Sequence, residues 1–208
     1  MKHSIQINKT AKFTTFGNPN TAKTILIVLH GYGQLADFFI RKFNMLNEDD
    51  YFVVAPEGLH RFYLKGASGR VGASWMTKEE RQIDIDDYIN YLNKLWVSID
   101  AKYSFDTKIL LGFSQGGATA SRWHDLGSFK ANTFLLWAAV FPVDMNLEFS
   151  NVFLKSTNYF VLGDEDAYLS IEQGENSLKS LNQSNLDFEF VKFSGKHTID
   201  SKTLLNLV

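Results

Sequence analysis

Residues 108–126 read Lys108-Ile109-Leu110-Leu111-Gly112-Phe113-Ser114-Gln115-Gly116-Gly117-Ala118-Thr119-Ala120-Ser121-Arg122-Trp123-His124-Asp125-Leu126. An apolar run passes through a glycine-rich turn directly into a segment of helical pattern. Lys108–Leu111 predicts a buried strand, and Gln115 to about Leu126 a helix with Gly127 as its stop. The G-x-S-x-G between them puts Ser114 on a tight strand-to-helix turn. Side chains at the flanking glycines would crowd that turn. The turn lifts the hydroxyl above a sheet and sets it at a helix N-terminus, where unpaired backbone N–H groups can bind an anion. Ala118 and Ala120 keep the first turn of the helix slim. The pentapeptide fixes only three positions; the strand before it and the helix after it make Ser114 a candidate nucleophile.

The same alternation runs outward in both directions. Thr24–Leu29 (TILIVL), Tyr51–Ala55, Thr133–Val140, Asn158–Leu162 and Asp187–Phe193 read as buried strands. Residues 35–47, Lys78 to about Ser98, 170–182 and 198–207 read as helices. In the second of these, Ile83, Tyr88, Tyr91, Leu92 and Leu95 fall near one face, and Thr77 with Glu80 fits a capping box. Ile5–Ile7 and Phe13–Phe16 suggest an opening hairpin around Asn8–Lys9. Residues 58–77, with Gly58, Gly66, Gly69 and Gly72, read as one long irregular loop of the kind that carries function. Strands alternating with helices imply crossover connections and a mostly parallel sheet covered on both faces. The near-continuous apolar strands agree. No repeat and no Pro-, Ser- or Gly-rich linker divides the chain, so residues 1–208 are expected to form a single α/β domain. Ligands of such sheets bind beyond the carboxyl ends of the strands, and four of those ends here carry glycine and polar residues.

Composition narrows the chemistry. The 208 residues carry 21 Lys+Arg against 23 Asp+Glu, a net charge of −2. That balance excludes a strongly basic nucleic-acid binder and a polybasic membrane binder. With no cysteine, thiol nucleophiles, disulfides, zinc–thiolate sites and iron–sulfur clusters are excluded. The N-terminus lacks the apolar core of a signal peptide. Apolar runs such as Ile25–Leu29 are far short of a membrane span. The expectation is a cytoplasmic protein without stable membrane insertion.

A serine nucleophile in acyl transfer needs an oxyanion site, a base and an acid. One donor is the N–H of Gln115, directly after the serine; the other should come from the loop after an earlier strand. Leu29-His30-Gly31-Tyr32-Gly33 supplies it, and the N–H of Tyr32 is the candidate. His30 precedes the serine, the wrong chain order for a base in this arrangement, and is expected to support its loop. Two histidines follow Ser114. His124 lies ten residues into the helix that Ser114 begins, roughly 15 Å along its axis, beyond hydrogen-bond reach. His197, in Phe193-Ser194-Gly195-Lys196-His197-Thr198, is left as the base. The acid should fall between serine and histidine. Asp166 in Leu162-Gly163-Asp164-Glu165-Asp166 is the choice, Asp164 the runner-up with a turn-bonding role as its alternative, and Asp144 a weaker candidate. No metal site is expected, since EF-hand-like spacing is missing.

With these residues assembled, the chain resembles the α/β-hydrolases, and within them the compact carboxylesterase, phospholipase and acyl-protein thioesterase group. The resemblance rests on Leu29-His30-Gly31-Tyr32-Gly33, Gly112-Phe113-Ser114-Gln115-Gly116-Gly117, Gly163-Asp164-Glu165-Asp166 and Gly195-Lys196-His197-Thr198-Ile199. Their order and spacing span residues 25–200. It implies an α/β-hydrolase fold without a large cap domain, a Ser114–His197–Asp166 triad, oxyanion donors at Tyr32 and Gln115, and no cofactor. It favours Asp166 over Asp164, because the second aspartate of the G-D-x-D turn is the catalytic one in that group. The chain departs from the group at Tyr32, where leucine is usual. It departs also at Ser74-Trp75-Met76-Thr77, where Trp-Phe-Asp is common, and at Ala167-Tyr168-Leu169.

These departures fall on the substrate side. Trp75, Phe62 and Tyr63 are candidates to line an acyl pocket, with loop packing as the alternative for each. Arg61, Lys65 and Arg70 lie on the same loop and could draw an anionic substrate, though solvated loop charges are more common. The expected activity is hydrolysis of short- to medium-chain carboxylic esters or thioesters, a small-molecule substrate. The competing readings are a peptidase or acyltransferase using the same triad, and a non-catalytic binding protein for a small ligand on the same fold. Flat apolar helices would also suit a homodimer, with no dedicated interface visible.

Overall fold

The structure is a computed structural model that describes residues 1–145 and 151–208. Seven strands form one sheet: β1 (Phe13–Phe16), β2 (Thr24–Leu29), β3 (Tyr51–Pro56), β6 (Thr107–Phe113), β7 (Thr133–Trp137), β8 (Thr157–Gly163) and β9 (Glu189–Phe193), in the order β1-β3-β2-β6-β7-β8-β9. All neighbours are parallel except β1, which pairs antiparallel to β3 on the edge. Consecutive strand residues face opposite sides. Ile25, Leu26, Ile27, Val28 and Leu29 are each 0% exposed, so both faces are covered. The near-unbroken aliphatic runs are what such a doubly covered strand requires.

The covering helices are α1 (Ala36–Phe39), continued by a 3-10 turn over Ile40–Phe43, α2 (Arg81–Asp100), α3 (Gln115–Leu126), α4 (Ile171–Gln183) and α5 (Ser201–Leu207). Helix α3 begins and ends where the sequence predicts, with Gly127 at its C-cap. It packs so close to the sheet that a Cβ on Gly112 would lie 2.5 Å from the Gly116 carbonyl oxygen, and one on Gly116 2.3 Å from that of Leu29. Only hydrogen fits at those two positions.

Several expectations need correction. Ile5–Ile7 form no strand; β1 instead satisfies its backbone on β3, with Phe13 opposite Pro56 and Phe16 opposite Val53. Residues 58–77 are not one irregular loop, since β4 (His60–Tyr63) and β5 (Val71–Ser74) form an antiparallel hairpin within them. Helix α2 starts at Arg81, and no Thr77–Glu80 capping box forms: Glu80 sits at the N-cap with φ 48° and no side-chain cap. The Thr77 N–H is accepted instead by Asp84 at 2.9 Å. On α2, Tyr88, Leu92 and Leu95 are buried as expected, whereas Ile83 is exposed.

The topology locates the site. From β2 the chain crosses to β3 on one side; from β6 it crosses to β7 on the other. Strands β2 and β6 are neighbours, so their carboxyl ends flank the switch point where open α/β sheets hold ligands. Leu29 pairs with Gly112 there, and the next residues are the His30–Gly33 loop and Ser114.

Candidate active site

Ser114 follows β6 with φ 53° and ψ −123°. A non-glycine residue so far into positive φ costs of order 1–3 kcal/mol and is held by its surroundings. Two bonds hold it: its N–H donates to the Trp137 carbonyl and its own carbonyl accepts from Gly117, both at 2.9 Å. The loop after β2 lies against it, because a Cβ on Gly31 would be 3.1 Å from the Ser114 Cβ.

The amides around that loop are almost fully accounted for. The Gly31 N–H donates to Gln34 Oε1 at 2.8 Å. The Gly33 N–H donates to Ala73 and the Gln34 N–H to the Gly31 carbonyl, at 2.8 and 3.2 Å. Among the described residues the N–H of Tyr32 has no partner, nor has that of Gln115 at the start of α3. Gln115 directly follows the strained serine, and Gly31, the neighbour of Tyr32, lies against it.

His197 and Asp166 meet. The imidazole Nδ1 is 2.6 Å from Asp166 Oδ2, and the carboxylate is wholly buried. Its other oxygen accepts from the N–H groups of Tyr168 and Leu169 at 2.8 and 3.1 Å. With Nδ1–H donating to the carboxylate, Nε2 is left as the proton acceptor. The ring packs between Phe113, at 4.8 Å, and Tyr168, at 4.7 Å between centroids. Phe113 immediately precedes Ser114, so the imidazole is seated against the turn that carries Ser114. No hydrogen bond joins Ser114 to His197 among the described residues; such bonds often tighten only when substrate is bound.

The other candidates take different roles. Asp164 accepts from the Gly195 N–H at 2.9 Å, tying its turn to the loop that carries His197. Asp144 pairs with the buried Arg122 at 2.6 Å. Burial alone would raise the Asp144 pKa, but the hydrogen bond and charge of Arg122 outweigh that and hold it below the usual range. His30 is buried, with Nε2 accepting from the Gly58 N–H at 2.9 Å and Nδ1 2.8 Å from the Gly31 carbonyl. Burial lowers its pKa, so it acts as a neutral bracket for its loop. His124 is buried against Phe134 and Phe153.

Of the proposed acyl-pocket residues, Trp75 is 0% exposed and its indole N–H donates to the His30 carbonyl at 2.8 Å. It is a core ring under the loop, with no face open to an entering chain. Phe62 is half-buried and its ring lies 4.9 Å from that of Tyr32; Tyr63 is exposed. Tyr168, which the sequence marks only as part of a departure on the substrate side, covers His197 and donates its N–H to Asp166. Its place two residues after the aspartate was the available signal. The sequence reading missed the Gln34 side chain, three residues after the amide it binds, and no residue pattern announces that contact. Among the described residues, no group of three or more His, Cys, Asp or Glu is placed to hold a metal ion. No described helix is long and apolar enough to cross a membrane.

Residues 14–207 match the model of a protein family described as phospholipase/carboxylesterase. The chain belongs to the phospholipase/carboxylesterase family. The resemblance read from four short motifs is thereby borne out. No curated protein matches the chain in sequence. Solved structures do match in fold. An acyl-protein thioesterase 2 from Zea mays superposes with a TM-score of 0.72 at 14% identity, over 95% of this chain and 96% of that one. A Bacillus cereus carboxylesterase gives 0.65 at 15% identity, covering 96% and 92%. A phospholipase/carboxylesterase from Dyadobacter fermentans gives 0.63 at 18% identity, covering 97% of each. The expected α/β-hydrolase fold is therefore shown. The match across nearly all of both chains agrees with a family member that carries no large cap.

Proposed function

We propose that this family member hydrolyses carboxylic esters or thioesters of short- to medium-chain acyl groups through a Ser114 acyl-enzyme. The observation that carries the reading is the buried Asp166 carboxylate held 2.6 Å from His197 Nδ1, beside a serine at φ 53°. Ser114 Oγ attacks the acyl carbon while His197 Nε2 takes its proton. The carbonyl oxygen becomes an oxyanion and accepts from the Tyr32 and Gln115 amides, each worth about 3 kcal/mol in the transition state. The tetrahedral species collapses, the acyl–oxygen or acyl–sulfur bond breaks, and His197 returns the proton to the departing alkoxide or thiolate. Water, deprotonated by the same imidazole, then attacks the acyl-enzyme and releases the acid and Ser114. Asp166 stabilises the imidazolium in both halves without taking its proton. Half-buried Phe62, exposed Tyr63 and the exposed Tyr32 ring offer apolar surface to the substrate; buried Trp75, bonded to the His30 carbonyl, braces the loop that carries Tyr32.

A fluorophosphonate probe should label Ser114 stoichiometrically, and p-nitrophenyl butyrate should be turned over. Ser114→Ala should abolish both with an unchanged circular-dichroism spectrum. A folded wild-type sample that neither labels nor hydrolyses any ester or thioester in a graded panel would overturn the reading.

A further inference from the structure

The two oxyanion donors come from different parts of the chain. Tyr32 sits in the loop after β2, Gln115 at the start of α3. Pairing of β2 with β6 ends at Leu29 and Gly112 and fixes the strands, not the amides beyond them. A third segment bridges that gap. Strand β5 and the two residues after it bond the Tyr32 loop at one end and the Gln115 side chain at the other. At the first end, the Gly33 N–H donates to the Ala73 carbonyl at 2.8 Å and the Ala73 N–H to that of Gln34 at 3.1 Å. The approach is close enough that a Cβ on Gly72 would lie 2.4 Å from the Gly33 carbonyl oxygen. At the other end, Gln115 Oε1 accepts from the Trp75 N–H at 3.1 Å. Its Nε2 donates to the Met76 carbonyl at 2.8 Å and to Ser74 Oγ at 3.1 Å. Between these ends the Trp75 indole donates to the His30 carbonyl at 2.8 Å.

We propose that the Gln115 side chain is a positioning residue that, by gripping residues 74–76, splints the Tyr32 and Gln115 amides at one fixed separation. The inference rests on the proposed oxyanion role of those amides. One residue thus contributes twice: its backbone N–H meets the oxyanion, and its side chain sets where the partner donor stands. Both ends of its amide are engaged, which locks its rotamer, and Gln115 is half-buried, which shields those bonds from water. Such donors stabilise charge only when they are already in place, and a displacement of about 1 Å costs up to about a hundredfold in rate. The hairpin that carries β5 therefore serves the reaction without touching the substrate's reacting atoms.

The test uses Gln115→Met, which keeps the backbone N–H and the side-chain length but makes none of the three bonds. Gly72→Ala attacks the other end, since its methyl must push the Gly33 carbonyl away. Each should lower kcat by about 10- to 100-fold and leave KM within about threefold. The affinity for an alkylboronic acid, whose serine adduct is tetrahedral, should fall by the same factor as kcat, and the pH profile of kcat/KM should keep its midpoint. If either variant does not fold, Ser74→Ala removes the bond to Gln115 together with the Ser74 hydroxyl's own bond to the Met76 carbonyl, and should show a smaller drop of the same kind. Unchanged kcat and boronate affinity in the folded variants would overturn the splint. So would a rise in KM at constant kcat, which would make Gln115 an ordinary substrate contact. Wild-type protein that labels with fluorophosphonate and turns over ester while the variants match it defeats this inference alone. Wild-type protein that does neither defeats the active-site reading beneath it.

Discussion

Asp164 and Asp166 stand two residues apart in one turn, and their surroundings divide their work. Asp166 is seated on His197 with its second oxygen filled by two backbone amides; exposed Asp164 holds one amide, that of Gly195. Asp166→Asn should cost about 10⁴ in kcat, because an amide both removes the charge and favours the wrong imidazole tautomer. Asp164→Asn keeps an acceptor oxygen and should retain most activity, with a stability loss of about 1 kcal/mol or less. A steady-state comparison of the two variants separates them. A second residue-scale prediction concerns His124, which plays no part in the proposed chemistry. Burial, with Lys130 nearby, lowers its pKa to about 3. Its neutral ring stacks 5.3 Å from Phe134. The unfolded imidazole titrates near 6.5, so between that pH and about 3 the unfolded chain binds a proton that the folded chain refuses. The contribution of His124 is complete above 6.5 and is lost as pH falls, at up to about 1.4 kcal/mol per pH unit. Urea unfolding at pH 7 and pH 5 should show wild type losing about 2 kcal/mol more than His124→Gln over that step. Equal losses would mean that the ring charges without penalty in the folded protein.

At the scale of elements, the start of α4 illustrates how a cap is made. The Ser170 side chain accepts from the Gln173 N–H while the Gln173 side chain accepts from the Ser170 N–H, a full capping box. Ser170→Ala should cost about 1 kcal/mol, measured as a shifted urea midpoint at constant m-value. Thr77→Ala, at the box the sequence suggested for α2, should cost less, since the Thr77 hydroxyl reaches only the Glu79 carbonyl at 3.2 Å. Both tetrapeptides have the right residue types. What separates them is where the helix begins: Ser170 stands directly before α4 as its N-cap, at φ −73° and ψ 158°. At α2 it is Glu80 that takes the N-cap, in the left-handed region. That choice is made by tertiary packing, which composition does not carry. The buried parallel strands were legible because each is a near-continuous aliphatic run. The β4–β5 hairpin was not. Its strands are four residues each, β4 alternates half-buried with exposed positions, and β5 is Val-Gly-Ala-Ser. The glycine that disguises β5 as loop, Gly72, is there because the Gly33 carbonyl leaves no space for a side chain. The helix expected over 35–47 is also shorter than the pattern suggests: apolar spacing continues past Phe39, but the chain tightens into a 3-10 turn over Ile40–Phe43.

At the scale of the molecule, strand order and site location follow from one feature, the divergence of the chain at β2 and β6. The sequence showed which strand ends carry glycine and polar residues; it did not show that β3 and β7 lie on opposite sides. That divergence opens the crevice in which the Gly31 loop and Ser114 touch. Around it the described residues provide loops and the short β4–β5 hairpin rather than a covering domain. Tyr168, at 80% exposed, and Tyr32, at 60%, stand at the rim in open solvent. A site already open needs no interface to uncover it. Hydrolysis of p-nitrophenyl esters and tributyrin should therefore rise hyperbolically with concentration and show no step where the substrate begins to form micelles or droplets. A lid that had to swing aside would hold the soluble-substrate rate low and release it at that boundary. The two cases separate in one titration carried through the solubility limit, with light scattering to mark where the boundary falls. A several-fold jump there would mean that the rim seen open in this structure closes over Ser114 in dilute solution.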